Sequence, residues 1–392
     1  MHHLRAFTSS VANMAKDLTK DISMAPDDFN ANGKRYVIGG RTIVEERLLS
    51  EGGFGFVHLV RDVNTNQQYV IKKILCQDKE RFELASREIE LFEKLPLHPN
   101  LVKYFGHIIE KDAKTREVIF LMEYCPGGHV YDLMKKNPSG VSTGDILRVL
   151  RDICSGLIAL HSMNVQHRDL KLENVILNAN GKYVLIDFGS WSSQCPDLSN
   201  ISREALGKFG ETVERYTTLM YRPPEMADLY KGFKISTKVD MWMLGCVLFT
   251  LVNNKHPFQD ASNLAIVNCR YSFVPDMCAR HPPKLVQLCS WLLAGNPADR
   301  PSAPELAKIL DTWENGDPLT LPQSVIDRIE KDARLYGIPN VVKGCTRRRN
   351  SKTDEPLTVW AEPTAASDDW QASFPPVTQP ATQPAPLLDL LG

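Results

Sequence analysis

The sequence has no Cys-x-x-Cys pair, no long apolar run and almost no net charge, and each of these absences excludes a class of protein. Its nine cysteines are odd in number and scattered, which argues against a disulfide framework or a zinc site and favours a reducing compartment. No apolar stretch approaches the roughly 18 residues that would span a bilayer, so no transmembrane segment is predicted. A formal net charge of -1 gives no reason to expect nucleic acid as a partner.

The chain of 392 residues divides by pattern into a folded region and two flanking segments. Residues 1–35 are polar and unpatterned, which predicts a flexible lead-in. Alternating apolar residues predict a strand-rich lobe with one helix over 36–124, and helical periodicity predicts a larger, mainly helical lobe over 125–316. A partly helical extension is predicted for 317–345. Proline, threonine and alanine enrich 346–392, which predicts a disordered tail.

The stretch SEGGFGFV, residues 50–57, places three glycines before an alternating strand. It is neither a Rossmann nor a Walker loop, because no helix follows it and it contains no Gly-Lys-Ser/Thr. Strand, turn and strand predict a hairpin that closes over phosphates, in the pattern G-x-G-x-x-G-x-V. Gly52, Gly55 and Val57 match this pattern, while Ser50 stands at the first glycine position. An ordinary tight hairpin that uses glycine for positive φ is the alternative.

Two charged residues downstream are predicted to form a buried pair. Lys72 ends the strand YVIK, and Glu88 lies in a helical stripe with Leu84, Leu91 and Leu95. A carboxylate in an apolar stripe is rarely left unpaired, so Glu88 is predicted to pair with Lys72. Lys72 is also predicted to reach the α and β phosphates of ATP.

The run HRDLKLEN at 167–174 concentrates polar groups between two apolar segments. The hairpin VILNANGKYVLIDFG that follows is predicted to bring Asp187 back beside Asn174. The two oxygen ligands suit Mg²⁺ that bridges ATP phosphates, while Asp169 would accept the proton of a substrate hydroxyl. A charged surface turn does not explain this arrangement.

The glycine loop, Lys72, Glu88, HRDLKLEN, DFG at 187–189 and a PPE motif occur in this order, and together they resemble the protein-kinase signature set. The resemblance implies an α+β bilobal kinase fold with ATP and Mg²⁺ as cofactors. Lys171 resembles the lysine of the serine/threonine class, and Thr218 resembles the threonine that contacts the catalytic aspartate in that class. The implied catalytic set is Asp169, Lys171, Lys72, Glu88 and Thr218, and the implied metal ligands are Asn174 and Asp187.

The same resemblance implies an adenine pocket between the two lobes. Leu49, Val57, Val70 and Ile176 would enclose the base, with Met122 as gatekeeper and the backbone of Glu123 and Cys125 at the base edge. These apolar residues would equally suit a plain core, and the thiol of Cys125 is interpreted as a small hydrophobe. The full implied ATP-binding set is Leu49, Ser50, Glu51, Gly52, Gly53, Phe54, Gly55, Phe56, Val57, Val70, Lys72, Met122, Glu123, Cys125, Ile176 and Asp187.

A narrower resemblance lies in the runs EGGFGFVHLVRD, TTLMYRPPEMADLY and WMLGCVLFTLVNNKHPFQDASNLAIVNCRYSF, which are similar to the Numb-associated kinases. This family includes the adaptor-associated and cyclin-G-associated kinases, and the similarity covers residues 36–316. A small residue commonly replaces the first loop glycine in the family, as Ser50 does. The resemblance implies a threonine of a clathrin adaptor medium subunit as substrate, and an additional helix formed by MADLYKGF after the PPE motif. Arg168 is expected to receive a phosphate carried by the activation segment, residues 190–222.

Two short motifs in the tail point to coat proteins. PAPLLDLLG contains Leu387, Leu388, Asp389, Leu390 and Leu391 and resembles a clathrin-box peptide. DDWQASF spaces Trp370 and Phe374 as in ligands of adaptor ears. We therefore expect a cytoplasmic serine/threonine kinase that is recruited to clathrin-coated membranes. An endocytic scaffold with an inert or regulatory kinase fold, and a kinase that acts on cortical actin regulators, are the alternatives.

Overall fold

The computed structural model describes residues 33–348, apart from 53–54, 113–114, 260–261, 339–340 and 343. The predicted lead-in and the predicted tail with its two motifs lie almost wholly outside this part of the chain. Within it, a strand-rich lobe is followed by a larger helical lobe, which confirms the predicted α+β bilobal fold.

The N-terminal lobe is built on a six-stranded antiparallel sheet in the order β1-β2-β3-β4-β6-β5. Its strands are β1 (Arg35–Ile38), β2 (Arg41–Gly52), β3 (Gly55–Asp62), β4 (Gln68–Cys76), β5 (Tyr104–Lys111) and β6 (Arg116–Glu123). Gly39 and Gly40 join β1 to β2 with φ of +56° and +73°, a conformation that glycine adopts without strain. The alternating pattern of the sequence therefore forms the strands that it predicts.

Helix α1 (Lys79–Lys94) packs against the sheet and starts at a capping aspartate. Asp78 Oδ1 accepts a hydrogen bond from Arg81 N at 2.7 Å, which satisfies one of the unpaired donors of the first turn. Alternation along β6 divides its side chains between two cores. Ile119 belongs to a small cluster on the outer face, while Phe120 belongs to the large cluster that also contains residues of α1.

The predicted stripe of α1 is only partly buried. Glu88 and Leu91 are buried, whereas Leu84 and Leu95 are half-buried. The remaining buried residues of the helix are Ala85, Ile89 and Phe92. The buried face is therefore rotated slightly from the predicted stripe, and Glu88 stays within it.

The C-terminal lobe packs its helices around one buried helix. The helices are α2 (Val130–Lys136), α3 (Thr143–Ser162), α4 (Arg203–Tyr216), α5 (Pro224–Ala227), α6 (Lys238–Asn253), α7 (Asn263–Val267), α8 (Pro275–Cys278), α9 (Pro283–Leu292) and α10 (Ala303–Asp311). Ser142 caps α3 as predicted, with Oγ accepting from Asp145 N at 3.1 Å. Helix α6 is buried on all sides from its second residue onward, as its apolar sequence predicts.

A hairpin and a C-terminal extension complete the lobe. Strands β7 (Val175–Leu177) and β8 (Tyr183–Leu185) form the predicted antiparallel hairpin. The extension consists of β9 (Leu319–Leu321), α11 (Gln323–Tyr336) and β10 (Cys345–Arg347), in which β9 and β10 pair in parallel. Its buried residues join the same core as α6, so this extension is part of the lobe.

The activation segment contains a helix that the sequence prediction placed elsewhere. MADLYKGF was expected to form the additional helix, but only a turn of α5 and a 3-10 turn at Leu229–Lys231 occur there. The longer helix is α4, which precedes the PPE motif. Asp228 accepts from Tyr230 N at 3.1 Å, and Gly232 follows with φ of +66°. These local turns prevent a longer helix from forming after the PPE motif.

No helix in the described ranges is long and apolar enough to cross a membrane. All nine cysteines are thiols, and none is bonded to another. The free thiols agree with the scattered spacing of the cysteines in the sequence.

Candidate active site

The glycine-rich hairpin is formed by the end of β2 and the start of β3. Ser50 lies opposite Val57, and Glu51 lies opposite Phe56. Because Ser50 belongs to a strand, its backbone is extended, a conformation that any residue adopts. A serine at the first glycine position therefore brings no backbone strain.

Glycine is required at a later position of the same hairpin. Gly55 has a φ of +124°, and a Cβ at this position would overlap the backbone carbonyl of Lys73. Gly52 pairs with Gly55 across the turn. The predicted contacts of Gly53 and Phe54 lie outside the described residues.

The predicted adenine pocket draws its residues from adjacent strands. Val57 pairs with Lys72 across β3 and β4, and Val70 pairs with Met122 across β4 and β6. Leu49 lies at a register shift of β2, between Leu48 and Ser50. The sheet therefore brings these members of the set to neighbouring positions.

The remaining adenine-site residues follow β6 or lie below it. Glu123 ends β6, and its N–H donates to Lys103 O at 2.9 Å. Ile176 of β7 forms an isolated bridge with His129, which follows the segment that joins the lobes. Burial raises the pKa of the Cys125 thiol to about 12, so the thiol is neutral at physiological pH, as a small hydrophobe would be.

The predicted pair of Lys72 and Glu88 is formed, and a third residue joins it. Lys72 Nζ donates to Glu88 Oε1 and Oε2 at 2.8 and 3.1 Å and to Asp187 Oδ1 at 2.8 Å. Burial lowers the pKa of Lys72, but the two carboxylates outweigh burial and raise it above its usual value. Burial acts in the opposite sense on Asp187, where the Lys72 ammonium outweighs it and lowers the pKa of the carboxyl. Lys72 is thus cationic and Asp187 anionic at neutral pH.

Asp169 is held by three side chains of the predicted site. Lys171 Nζ donates to Asp169 Oδ2 at 2.6 Å, and Thr218 Oγ1 donates to Asp169 Oδ1 at 2.7 Å. Lys171 also donates to Thr218 Oγ1 at 3.2 Å. Asn174 Nδ2 donates to the carbonyl oxygen of Asp169 at 2.8 Å. These bonds fix the carboxylate in one orientation.

The predicted metal ligands flank the two strands of the hairpin, with Asn174 directly before β7 and Asp187 two residues after β8. Ile186 N donates to Asn174 O at 3.0 Å, which places Asp187 next to Asn174. Asn174 Nδ2 is bonded to the carbonyl oxygen of Asp169, so Oδ1 is the atom of this amide that would bind a metal. One carboxylate and one amide oxygen are hard ligands of the kind that Mg²⁺ takes together with phosphate oxygens. In the described ranges no cluster of three or more Asp, Glu, His or Cys residues forms a dedicated metal cage.

A buried aspartate supports the loop that carries Asp169. Asp240 Oδ2 accepts from His167 N and Oδ1 accepts from Arg168 N, each at 2.9 Å, and His161 Nε2 lies 2.9 Å from Oδ2. Burial raises the pKa of Asp240, but its bond to His161 outweighs burial and lowers it. Asp240, near the start of α6, therefore holds the backbone of the loop, and nothing in the sequence pattern indicated its contact with His161.

A chain of four rings, joined by one stacked, one edge-to-face and one tilted contact, connects the two lobes. Tyr104 of β5 stacks on Phe92 of α1 at 4.8 Å, and Phe92 meets Phe188 at 5.4 Å. Phe188 in turn meets His167 at 5.3 Å. The sequence analysis missed Phe92 and Tyr104, although Phe92 lies one helical turn after Glu88 and could have been found from that spacing.

The structure places Arg168 differently from its expected role. Its side chain is buried, with Nε donating to Gln166 Oε1 and Nη2 donating to Gln194 O, both at 2.9 Å. The guanidinium also lies 5.5 Å from the ring centroid of Phe209 in α4. Burial lowers the pKa of Arg168 to about 10, so it remains cationic at neutral pH. The activation segment itself therefore occupies the place where a phosphate was expected.

A protein kinase domain model matches residues 43–310, which is most of the chain, so the chain belongs to the protein kinase family. Its relatives carry serine/threonine specificity in their names. A probable serine/threonine-protein kinase of Dictyostelium discoideum is 40% identical over 288 residues, which are 71% of this chain and 35% of that protein. A second such kinase from the same organism is 35% identical over 296 residues, which are 74% of this chain and 26% of the relative.

A yeast protein matches a similar share of this chain. The serine/threonine-protein kinase ppk30 of Schizosaccharomyces pombe is 33% identical over 296 residues, which are 74% of this chain and 30% of the relative. The matched region therefore spans about a third of the length of these relatives or less.

Proposed function

We propose that this chain is a serine/threonine protein kinase that transfers the γ-phosphoryl group of ATP to Ser/Thr hydroxyls of protein substrates. One observation carries the proposal: Lys72, Glu88 and Asp187 are joined in one ion-paired group. Asp169 is oriented by Lys171 and Thr218 in a second group. The similarity to curated serine/threonine kinases supports the acceptor class.

In this proposal each group has a separate task. Lys72 presents a cation to the α and β phosphates, and Glu88 holds that cation in place. Asp169 accepts the proton of the attacking hydroxyl, and Lys171 places a positive charge beside the transferring phosphoryl group. Thr218 keeps the Asp169 carboxylate oriented. Positioning and charge supply most of the rate in phosphoryl transfer, so the orientation of these groups matters more than any single bond.

Asn174 and Asp187 would hold Mg²⁺, which neutralises charge on the ATP phosphates when it is bound. The carbonyl of Glu123 and the backbone of Cys125 would meet the edge of adenine. Leu49, Val70 and Ile176 would cover its faces.

An acceptor assay tests the activity. The purified chain with MgATP should phosphorylate a mixture of Ser/Thr peptides, and phosphosite mapping should find phosphate on Ser or Thr and none on Tyr. Asp169→Asn is the matched control, because it keeps the side-chain size and removes the proton acceptor. A phosphorylation rate of the wild-type chain no higher than that of Asp169→Asn would contradict the proposal.

We further propose that the chain is a Numb-associated kinase that acts in clathrin-mediated endocytosis and vesicle traffic, in the cytoplasm and on clathrin-coated membranes. The resemblance of residues 36–316 to that family supports a threonine of the adaptor medium subunit as substrate. Trp370 and Phe374 would bind the adaptor ear, and the leucine motif at 387–391 would bind clathrin. These tail motifs lie outside the described residues.

Two other functions make different predictions. An endocytic scaffold with an inert or regulatory kinase fold would bind coats without phosphorylating them, but the paired Lys72 and Glu88 favour catalysis. A kinase acting on cortical actin regulators would leave adaptors unphosphorylated. Phosphosite mapping on purified adaptor complexes incubated with the chain and MgATP separates the endocytic kinase from both alternatives, because only the endocytic kinase would place phosphate on the medium subunit.

A further inference from the structure

Lys73 follows Lys72 in β4, and its side chain lies on the opposite face of the sheet. Side chains alternate along a strand, and Lys73 pairs with Ile119, which belongs to the small cluster on the outer face. Lys73 Nζ donates to Glu45 Oε1 of β2. In the sheet β3 lies between β2 and β4, so this ion pair crosses β3. The hairpin of β2 and β3, which carries the glycine-rich turn, is therefore fastened to β4.

Glu45 has a second donor on the same face. Tyr36 OH donates to Glu45 Oε1, and Lys73 Nζ lies 5.4 Å from the centroid of the Tyr36 ring. The side chains of Lys73 and Glu45 are only 11% and 19% exposed, so salt screens their pair less than it screens a surface pair. Burial raises the pKa of Glu45, but its bonds to Lys73 and Tyr36 outweigh burial and lower it. Glu45 is thus anionic at neutral pH.

The next residue of β2 makes a similar connection. Glu46 Oε1 accepts from Arg61 Nε of β3, and Glu46 Oε2 accepts from Gln68 Nε2 of β4 at 2.9 Å. Two consecutive carboxylates of β2 therefore both reach β4. The group that joins the four strands β1 to β4 is here named the root clamp, and it consists of Tyr36, Glu45, Glu46, Arg61, Gln68 and Lys73.

The root clamp lies at the base of the glycine-rich hairpin. A register shift of β2 between Leu48 and Ser50 separates the clamp from the turn. A register shift of this kind interrupts the ladder and bends the strand. Lys73 also contacts the hairpin through its backbone, because its carbonyl oxygen is the atom that a Cβ at Gly55 would overlap. The direction in which the turn points therefore depends on a base that the clamp fixes to β4.

We propose that Glu45, Lys73 and Tyr36 are positioning residues, which fix the base of the glycine-rich hairpin at the ATP phosphates. This inference rests on the proposed kinase activity, in which the hairpin backbone contacts those phosphates. Tyr36 lies in β1, before the residues 43–310 that the kinase domain model matches. The three residues act through the hairpin, so their loss affects the use of ATP and leaves the peptide acceptor unaffected.

Two substitutions test the root clamp. Lys73→Met keeps the length of the side chain and removes the cation, and it should raise KM for ATP about 5- to 20-fold, because hydrogen bonds between charged groups are the stronger ones. Tyr36→Phe keeps the ring and the ion pair and removes one donor, and it should raise KM for ATP about 2- to 5-fold. In both variants kcat and KM for peptide should change by less than about 2-fold.

Glu110→Gln is the matched control. It removes the ion pair that Lys34 Nζ makes with Glu110 Oε2 at 2.7 Å, which belongs to the same sheet but lies outside the root clamp. Its KM for ATP should equal that of wild type. Lys73→Arg provides rescue, because it keeps a cation that can donate to Glu45, and its KM for ATP should lie near the wild-type value.

Two kinetic results would overturn the inference. A purely structural role would lower the melting temperature of Lys73→Met and Tyr36→Phe with KM for ATP unchanged. The second is an equal rise of KM for ATP in Lys73→Met and Lys73→Arg, which would show that the cation is not required. If Lys73→Met does not fold, Tyr36→Phe decides the matter, because it leaves the ion pair in place.

Amide hydrogen exchange separates this inference from the proposed activity. Without nucleotide, exchange over β2 and β3 should be faster in Lys73→Met and Tyr36→Phe than in Glu110→Gln and wild type. Unchanged exchange in both clamp variants would contradict the root clamp even if the enzyme is active. An inactive wild type together with faster exchange in the variants would reject the kinase activity and support the root clamp.

Discussion

Ser50 shows how one residue can depart from a motif without loss of the site. The extended backbone of β2 accepts any side chain, and the position in the hairpin that requires glycine is Gly55. We therefore expect Ser50→Gly to change turnover by less than about tenfold, because the predicted phosphate contacts come from the backbone. Steady-state kinetics with varied ATP checks this. A collapse of ATP binding would reveal a specific contact of the Ser50 side chain.

A second single-residue prediction concerns Thr218, which contacts Asp169. Its hydroxyl donates to an ionised carboxylate, and a hydrogen bond to a charged group contributes about 1.5–3 kcal/mol. Thr218→Val should lower kcat by about 10- to 100-fold with little change in KM for ATP. Thr218→Ser keeps the hydroxyl and should stay near wild type. Equal kinetics in the two variants would show that Thr218 does not orient Asp169.

The residues of the site could be predicted because each belongs to a short motif, and the motifs follow one another in a set order along the chain. The contacts of Arg168 could not, since they depend on where Gln194 and Phe209 fold. The hydrogen bond from Trp191 Nε1 to the carbonyl oxygen of Arg87 was missed for the same reason, because nothing in the local pattern shows that an indole in a loop meets helix α1. The spacing of residues in the sequence indicates which side chains are neighbours within one helix or strand. These contacts join segments that are far apart in the sequence.

Among the elements, α4 was open to prediction and was overlooked. Ser202 precedes it and accepts from Ala205 N at 3.2 Å, and the buried residues Ala205, Phe209 and Val213 recur every four positions. This is the pattern of an amphipathic helix with an N-cap. Two internal glycines obscure it, because glycine lowers helix propensity by about 1 kcal/mol relative to alanine. Packing of the apolar face outweighs that cost.

A buried histidine after α6 gives a prediction on pH. His256 is 6% exposed, its Nδ1 accepts from Phe258 N at 3.0 Å, and burial lowers its pKa to about 3. The unfolded chain takes up this proton below about pH 6.5, whereas the folded chain does not, so acid favours unfolding. From about pH 7 to pH 5.5 this linkage should lower the free energy of unfolding by about 1 kcal/mol.

His256→Asn isolates that effect. The Asn Oδ1 can accept the bond from Phe258 N and does not titrate. The variant should therefore lose less stability than wild type between the two pH values, by about 1 kcal/mol, whatever its stability at neutral pH. Urea unfolding at both pH values measures the difference. Equal losses in the two proteins would contradict a neutral, buried imidazole.

For the whole molecule, the fold class followed from periodicity and motif order together. Strand alternation identified the sheet, and an apolar sequence without a polar face identified α6 as central. The extension after residue 316 shows the limit of this approach. Its helix was expected, but its burial in the main core was not, because a short amphipathic segment does not reveal which surface it covers.

The proposed recruitment is a property of the full chain. A single leucine motif buries little surface, so we expect a Kd of about 10 to 100 μM for clathrin and useful occupancy only through multivalency. Changing Leu387, Leu388, Leu390 and Leu391 to Ala should abolish pull-down of the clathrin terminal domain and leave activity on a soluble peptide unchanged. Trp370→Ala with Phe374→Ala, which should reduce adaptor binding alone, is the matched control. Normal clathrin binding by the leucine variant would leave the endocytic proposal resting on the kinase domain.

The central claim is that the group formed by Lys72, Glu88 and Asp187 acts in phosphoryl transfer, and the most direct measurement is the transfer rate in two conservative variants. Lys72→Met removes the cation that we propose contacts the ATP phosphates, and Asp187→Asn removes the carboxylate that we propose binds Mg²⁺, while both keep side-chain volume. Each should lower transfer from MgATP to a Ser/Thr peptide by at least about 100-fold, since electrostatic groups of this kind contribute several kcal/mol to the transition state. Far-ultraviolet circular dichroism should show an intact fold. Turnover near that of wild type in either variant would contradict the account.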